Sequence, residues 1–229
     1  MPRFFAEIID PDQAVITGGD AVHIRGSLRK RVGDTLSVRA GYIGYEARIS
    51  SMDQQKIFLD IISSRELSER SPARVHLGMS IIDLKDMDLV FRAVTELGVA
   101  DIYPVIAERS NVRTISESRL KRWESIIQEA VKQCERRGIP VIHEPQPLLR
   151  CIRGDCAVWP VKLVASLDAE ESLYYSKGED VGIFIGPEGG FSPYEMEEMI
   201  RSGCTPVSMG RTVMRAVTAA ITSVGVLAM

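Results

Sequence analysis

The chain has 229 residues, 28 of them basic and 31 acidic, for a net charge of −3, and 45% are apolar. That is enough to bury the core of one large domain, or of a small domain plus a medium one, and it argues against a disordered chain. The near-balanced charge argues against a protein held on nucleic acid by bulk electrostatics, so any such contact must rest on local basic patches.

Met1 to Glu7 lacks the apolar run of a signal peptide, and no stretch of 18 uncharged apolar residues occurs elsewhere, so a cytoplasmic protein outside the membrane is expected. Cys134, Cys151, Cys156 and Cys204 form no CxxC pair, and His23, His76 and His143 are scattered without metal-ligand spacing. No metal is expected, and the thiols are expected to be reduced, buried or idle.

In chain order, residues 1 to about 70 read as β-rich. Apolar residues alternate in Thr35–Arg39, Tyr45–Ile49 and Lys56–Ile61, with Gly33-Asp34 and Gly41 as punctuation, a pattern that suits a small barrel. The polar stretch Ser63–Pro72 reads as a linker, since it has little to bury and ends in a proline. Alternating strands and helices follow. A strand is expected over Arg74–Ile82, then a helix with Met87, Val90, Phe91, Val94 and Leu97 on one face and Gly98 as its stop. Asp101–Ile106 is a short apolar strand. From about Ser116 to Arg137, Leu120, Trp123, Ile127, Ala130 and Cys134 make the stripe of an amphipathic helix that ends at Gly138-Ile139-Pro140. Further strands are expected over Val161–Leu167, Val181–Ile185 and Pro206–Met209. This alternation predicts an α/β domain with a mostly parallel sheet, which binds ligands at the carboxyl ends of its strands.

One of those ends is unusual. Val181–Ile185 delivers the chain into Gly186-Pro187-Glu188-Gly189-Gly190, and a helix starts near Ser192, with Ser192 as cap, Pro193 at the first helical position and Glu195 completing a capping box. Three glycines in five residues bare the main chain, so that a flat ligand such as adenine can be gripped by amides and carbonyls. The same spacing equally suits a turn required only by geometry. It does not match GxGxxG, and the absence of GKS or GKT excludes a P-loop.

Ile185–Ser192, followed by an acidic helix and then by Val207-Ser208-Met209-Gly210-Arg211-Thr212-Val213-Met214-Arg215, resembles the 16S ribosomal RNA (uracil-N3)-methyltransferase family of the SPOUT, or α/β-knot, superfamily. The likeness covers nearly the whole chain. Leu77-Gly78 with Lys85 and Glu96–Val99 is similar to the family's opening strand and helix, Glu108-Arg109-Ser110 to its next loop, and Gln133-Cys134 with Arg136 and Pro140 to its helix-end signature. His23-Ile24-Arg25, Leu28-Arg29 and Gly33-Asp34 resemble its N-terminal PUA-like RNA-binding barrel.

The resemblance implies a PUA-like barrel over residues 1–70 and a SPOUT domain over 73–229 whose last strands and helix pass through a preceding loop to form a knot. Periodicity shows no such crossing. It also implies a homodimer acting on 16S ribosomal RNA or the small ribosomal subunit, with S-adenosylmethionine held among three loops. Those loops contain Leu167; Ile185, Gly186, Pro187, Glu188 and Gly190; and Met209, Gly210, Val213, Met214, Thr218 and Ala219. Two positions depart from the family pattern, Thr212 standing for an arginine and Val217 for a glutamate, so no role of that glutamate carries over.

Methyl transfer from a sulfonium needs positioning more than acid or base groups. Uracil N3 must nevertheless lose a proton, which a cation beside the flanking carbonyl oxygens would favour. Arg215 is the first choice for that role and Arg211 the second, although Arg215 equally suits a phosphate clamp or a dimer ion pair. Arginine is a poor base, so the proton acceptor is unassigned. Glu188 suits orientation of loop amides, approach to a partner subunit, or a plain exposed loop acid. RNA is expected at Arg25, Arg29, Lys30 and Arg31, with Lys85, and at a second cluster of Lys132, Arg136 and Arg137. The acid-free stretch 199 to 229, with Arg201, Arg211 and Arg215, adds to this. The alternatives are another SPOUT activity with a different RNA target, a ribosome-assembly protein of the same fold with weakened catalysis, and an α/β enzyme using another nucleotide.

Overall fold

The computed structural model describes residues 4–40, 43–66, 74–134, 136, 138–173 and 180–228. They divide into two units, Met1–Arg70 with Lys132–Gly138, and Ser71–Val131 with Ile139–Met229.

The first unit runs β1 (Phe4–Phe5), β2 (Glu7–Asp10), β3 (Gln13–Thr17), α1 (Gly19–Gly26), β4 (Thr35–Ala40), β5 (Ile43–Met52) and β6 (Lys56–Glu66). Its sheet order is β1-β4-β5-β6-β3-β2, with β1 parallel to β4 and the other pairs antiparallel. β1 and β2 are two stretches of one extended segment, and the Ala6 N–H between them donates to the Arg39 carbonyl at 2.8 Å. The first stretch pairs with β4 at one edge and the second with β3 at the other, so the sheet closes on itself. Closure leaves no long open edge. Every second residue points inward, and Ala14, Ile16, Leu36, Val38, Ala47, Ile49, Ile57 and Leu59 fill the interior with Phe4 and with Ala21 and Ile24 of α1. This is the small barrel that the alternation predicts.

Two features of this unit differ from expectation. Helix α1 buries only Ala21 and Ile24, too few for a periodic signal. The linker expected from Ser63 begins as strand, because Ser63, Ser64, Arg65 and Glu66 pair with Glu46, Tyr45, Gly44 and Ile43. Those polar residues need no burial, since the ladder itself satisfies their backbone groups. Residues 67–72 of that linker lie outside the described residues.

The second unit runs β7 (Val75–Ser80), α2 (Leu84–Leu97), β8 (Asp101–Ile106), α3 (Glu117–Cys134), β9 (Val141–Ile142), β10 (Gln146–Pro147), α4 (Leu148–Arg153), β11 (Val161–Ala165), β12 (Val181–Ile185), α5 (Pro193–Arg201), β13 (Cys204–Val207) and α6 (Ala216–Ala228). The last turn of α3 groups with the first unit. The sheet order is β10-β8-β7-β12-β11-β13, with β9 also on β8, and all the pairs are parallel. β7 and β12 are buried at every residue, which is why both read as unbroken runs with little polar alternation. Helix α2 starts on its Asp83 cap, buries Met87, Val90, Phe91 and Val94 of the expected stripe but leaves Leu97 exposed, and stops at Gly98 with φ 108°. On α3, Trp123, Ile127, Ala130 and Val131 are buried, and Trp123 meets Phe91 edge to face at 4.8 Å. β13 starts two residues before the strand expected at Pro206, and β11 stops at Ala165, so Met209 and Leu167 fall in loops. From β13 at the sheet's edge the chain returns as α6 to pack on α2, β7 and β12. Among the described residues no helix is long and apolar enough to cross a membrane.

Two glycines set the packing of the central strands. A Cβ on Gly78 would lie 2.2 Å from the Phe184 ring, and one on Gly182 would lie 1.8 Å from the Trp159 ring. Neither ring is the flexible end of a side chain that could swing aside. Gly182→Ala should therefore destabilise the protein by about 1–3 kcal/mol through overpacking, read as a lower denaturant midpoint at unchanged slope.

Candidate functional site

Parallel pairing brings the carboxyl ends of β12, β11 and β13 side by side, and three loops leave from them. The loops after β11 and β13 are laced together. Ser208 N–H donates to the Glu171 carbonyl at 2.6 Å, Leu173 N–H to the Ser208 carbonyl at 2.9 Å and Ser166 N–H to the Val207 carbonyl at 3.0 Å, while Ser172 and Ser208 form a parallel bridge. The loop after β12 folds back on itself. Gly190 N–H donates to the Pro187 carbonyl at 2.8 Å, and Gly190 has φ 67°, a conformation that favours glycine. Ser192 then opens α5 with a full capping box, its hydroxyl accepting from Glu195 N–H while the Glu195 carboxylate accepts from Ser192 N–H.

The positions expected to hold a cofactor differ in exposure. Ile185 and Pro187 are buried, Gly186 and Gly190 half-buried and Glu188 exposed, so the first two shape the loop and the others face outward. Met209 and Met214 are half-buried, Gly210 and Thr218 exposed, and Ala219 is on the buried face of α6. Leu167 and Val213 stand 75% and 78% exposed, large apolar side chains beside loops of bare main chain. Gly210, at φ 124°, has open space where a Cβ would stand. Apolar surface flanking unclad amides and carbonyls fits a flat, polar-edged ligand such as an adenosyl group. Arg211 and Arg215 are exposed, and Arg215 immediately precedes α6, its carbonyl accepting from Ala219 N–H at 2.9 Å. A helix N-terminus beside two guanidinium groups favours an anion.

Two side chains hold the β12–α5 loop from below. The Glu195 carboxylate, besides closing the capping box, accepts from Glu108 N–H in the loop after β8 at 2.7 Å. Arg109 of that loop donates to the carbonyls of Gly189 at 2.7 Å and Phe191 at 3.4 Å. The sequence pattern presents Glu195 only as a cap, because its second partner lies 87 residues away.

On the barrel, Arg25, Arg29 and Arg31 are exposed and Lys30 half-buried at the end of α1 and in the turn after it. Arg25 donates to the Asp53 carbonyl at 3.2 Å and Lys30 to the Thr35 carbonyl at 3.4 Å, contacts that orient their stems. Lys85 is exposed in the first turn of α2. The second cluster is less open than expected. Lys132 pairs with Asp20 at 2.8 Å and lies 5.6 Å above the Phe5 ring, Arg136 is half-buried with its carbonyl accepting from Arg39, and Arg137 lies outside the described residues. Arg201 is neutralised by Glu197 and Glu198.

Several buried ionisable groups with shifted values sit elsewhere, toward the amino ends of the strands. Asp101, its side chain 8% exposed, accepts from Arg74 at 2.9 Å, lies 2.9 Å from His76 Nδ1 and meets His143 Nε2 at 3.3 Å. Burial works to raise its carboxyl, but the histidine hydrogen bonds, then the charges of His76 and Arg74, hold it below the ordinary value. Tyr103, stacked on His143 at 3.8 Å, is pushed up to about 12 by burial and by the charge of Asp101. Burial raises the Cys204 thiol to about 11, and burial with the neighbouring Cys151 raises Cys156 further. Among the described residues no cluster of metal-ligating side chains occurs.

An α/β unit that gathers glycine-rich main-chain loops and arginines at the carboxyl ends of a parallel sheet belongs to the class of ligand-binding α/β enzyme domains. Residues 69–228 match the family model of the RNA methyltransferase domain, and the chain belongs to that family. It is 29% identical to the ribosomal RNA small subunit methyltransferase E of Buchnera aphidicola subsp. Schizaphis graminum, over 98% of this chain and 94% of that one. A methyltransferase from Legionella pneumophila, solved in complex with bound S-adenosylmethionine, is 31% identical with a TM-score of 0.89, covering 99% of this chain and 96% of its own. The ribosomal RNA small subunit methyltransferase E of Neisseria gonorrhoeae, also bound to S-adenosylmethionine, is 25% identical with a TM-score of 0.85, over 98% and 95% of the two chains.

Asp101 gives the unit a calculable acid limit. Its carboxyl is held below the ordinary value, so its stabilising contribution is complete above about pH 4 and is lost as pH falls through the folded value. Asp101→Asn should lower stability at neutral pH by roughly 1–3 kcal/mol. It should also flatten the acid limb of the stability profile; a profile parallel to wild type in acid would contradict the assignment.

Proposed function

We propose that this chain is an S-adenosylmethionine-dependent methyltransferase acting on N3 of a uridine in 16S ribosomal RNA. The observation that carries the reading is the set of three main-chain loops at the adjacent ends of β11, β12 and β13, with Arg211 and Arg215 beside them. The S-adenosylmethionine-bound Legionella and Neisseria structures support the choice of cofactor. The names of the relatives support the choice of RNA.

In this reading the main chain of Gly186, Pro187, Glu188 and Gly190 grips the adenine edge. Leu167 and Val213 supply apolar surface, Ile185 supports the loop from the core, and Met209, Gly210, Met214, Thr218 and Ala219 close the other side. S-adenosylmethionine, when bound, supplies a methyl group on a sulfonium as the electrophile. The protein's task is to hold uracil N3 in line with that methyl and to lower the cost of removing the N3 proton. Arg215 does the latter by placing positive charge against the carbonyl oxygens that flank N3, with Arg211 beside it. Arginine remains charged at any working pH, so it stabilises the deprotonated base without taking the proton itself.

The barrel, read as a PUA-like module over residues 1–70, docks RNA through Arg25, Arg29, Lys30 and Arg31, with Lys85 and Arg136 adding phosphate contacts. The catalytic domain over 73–229 is read as a knotted SPOUT unit. The laced loops after β11 and β13 and the return of α6 across the sheet support that crossing. We also read the working form as a homodimer, which sedimentation would test.

Small-subunit particles lacking the modification, incubated with labelled cofactor, should acquire one methyl at a uridine N3, and mapping to another atom or to no RNA would sink the reading. Arg215→Ala should lower turnover by roughly 10²-fold while cofactor affinity holds. Replacing Arg29 and Arg31 with alanine should weaken RNA binding for all sequences alike. The slope of log affinity against log salt should also become shallower, by about one for each phosphate that is no longer neutralised.

A further inference from the structure

We infer that Arg109 and Glu195 form a two-point clamp that fixes the β12–α5 loop in its working shape, making them positioning residues for methyl transfer. The link to transfer rests on reading that loop as the cofactor site.

Glu195 is only 5% exposed, and a buried carboxylate is tolerated where its lone pairs are met. Both oxygens are met by backbone amides, and the amides come from different loops. Oε2 accepts from Ser192 N–H at 2.9 Å, which is the cap of its own helix, while Oε1 accepts from Glu108 N–H at 2.7 Å, which ties the loop after β8 to the start of α5. A helix cap needs only the first of these bonds. The second couples two loops whose strands, β8 and β12, are separated in the sheet by β7.

Arg109 supplies the other point. Its Nη1 bridges the carbonyls of Gly189 and Phe191, on either side of Gly190, where the chain reverses with φ 67°. Its aliphatic stem also packs on Gly189, where a Cβ would lie 3.5 Å from Arg109 Cδ. The base of the clamp is itself braced. Ser110 N–H donates to the Ala107 carbonyl at 3.1 Å, Ala107 N–H donates to Ser110 Oγ at 3.2 Å, and Arg113 donates to the Glu108 carbonyl. A segment with three glycines in five residues has many conformations to lose on binding a ligand. Fixing its carbonyls from behind removes that loss in advance and leaves the outward groups aimed at the ligand. Neither residue needs to touch the cofactor for this.

The test compares wild type with Arg109→Ala, Arg109→Lys and Glu195→Gln by amide hydrogen exchange of residues 183–192 in the ligand-free protein, calorimetric S-adenosylmethionine affinity, and separate KM values for cofactor and small-subunit particle. Arg109→Ala should speed loop exchange and raise the cofactor Kd, each by about tenfold, with protection of β7 and the KM for the particle unchanged. Arg109→Lys should recover part of both, since an ammonium reaches one carbonyl but cannot bridge two in the same way. Glu195→Gln should move both readouts in the same direction, because its amide group opposes one N–H donor. Should that variant fail to fold, the exposed Arg109 carries the test alone. Unchanged loop exchange in Arg109→Ala would overturn the clamp, as would an effect confined to the KM for the particle, which would make Arg109 an RNA contact. If wild type itself binds no S-adenosylmethionine, the cofactor reading fails, while the exchange data still decide for or against the clamp.

Discussion

The placement of β12 between β7 and β11 is the constraint on which the second unit depends. The strand Val181-Gly182-Ile183-Phe184-Ile185 carries no polar side chain and is covered on both faces, so its only exits from the core are at its ends. Its two neighbours fit because glycines yield space to rings. Gly78 on β7 admits Phe184, and Gly182 on β12 itself admits Trp159. With these contacts made, the strand's register is fixed, and the glycine-rich loop must emerge at one place, between the loops that follow its neighbours. The loop's position is therefore a result of packing, whereas its shape is left to hydrogen bonds from Arg109, Glu195 and its own Pro187–Gly190 turn.

The two ends of the sheet divide the work between them. At the amino ends, Asp101 gathers Arg74, His76 and His143, with Trp159 stacked on His76 and Tyr103 on His143. Perturbed ionisable groups often mark functional sites, yet these are consumed by one another and sit opposite the open loops. Their role is to close the bottom of the core. The carboxyl ends carry the reverse character, with few charged side chains engaged, bare main chain and large apolar residues left in solvent. Methyl transfer suits such an end, because it asks for a shaped, partly apolar cradle more than for tuned acids and bases.

Much of this can be read from the sequence, and the reasons for the rest are specific. The strand Asp101–Ile106 and the helix closed by Gly98 are legible because burial on one stripe or along a whole strand leaves a periodic or continuous apolar trace. Helix α1 is not, since two buried residues leave none, and β6 outruns its apolar segment because pairing with β5 rewards backbone groups whatever the side chains are. At the site, glycine spacing and the Ser192 cap locate the loop. The Glu108–Glu195 and Arg109–Gly189 bonds have no local signal, since each joins residues about 80 or more positions apart. Barrel closure also lacks a local signal, because one segment serves both edges, in a hairpin with β3 and in a pairing with the more distant β4.

The ion pairs show which arginines are tied up in the structure. Arg119 and Arg122 share Asp88, Arg153 and Arg201 share Glu198, and Arg74 is held by Asp101. Among the described residues Arg211 and Arg215 have no acidic partner, although the chain as a whole carries an excess of acid. Arg215 immediately precedes α6, so its cation stands near the positive pole of that helix, which is costly. No packing gain offsets that repulsion, since both side chains are exposed. On the function proposed above an anion offsets it, either a phosphate of the RNA backbone or the charge that develops on the substrate base. On that proposal the placement, unfavourable in the free protein, becomes favourable as the substrate arrives or reacts, which is the differential binding that catalysis requires.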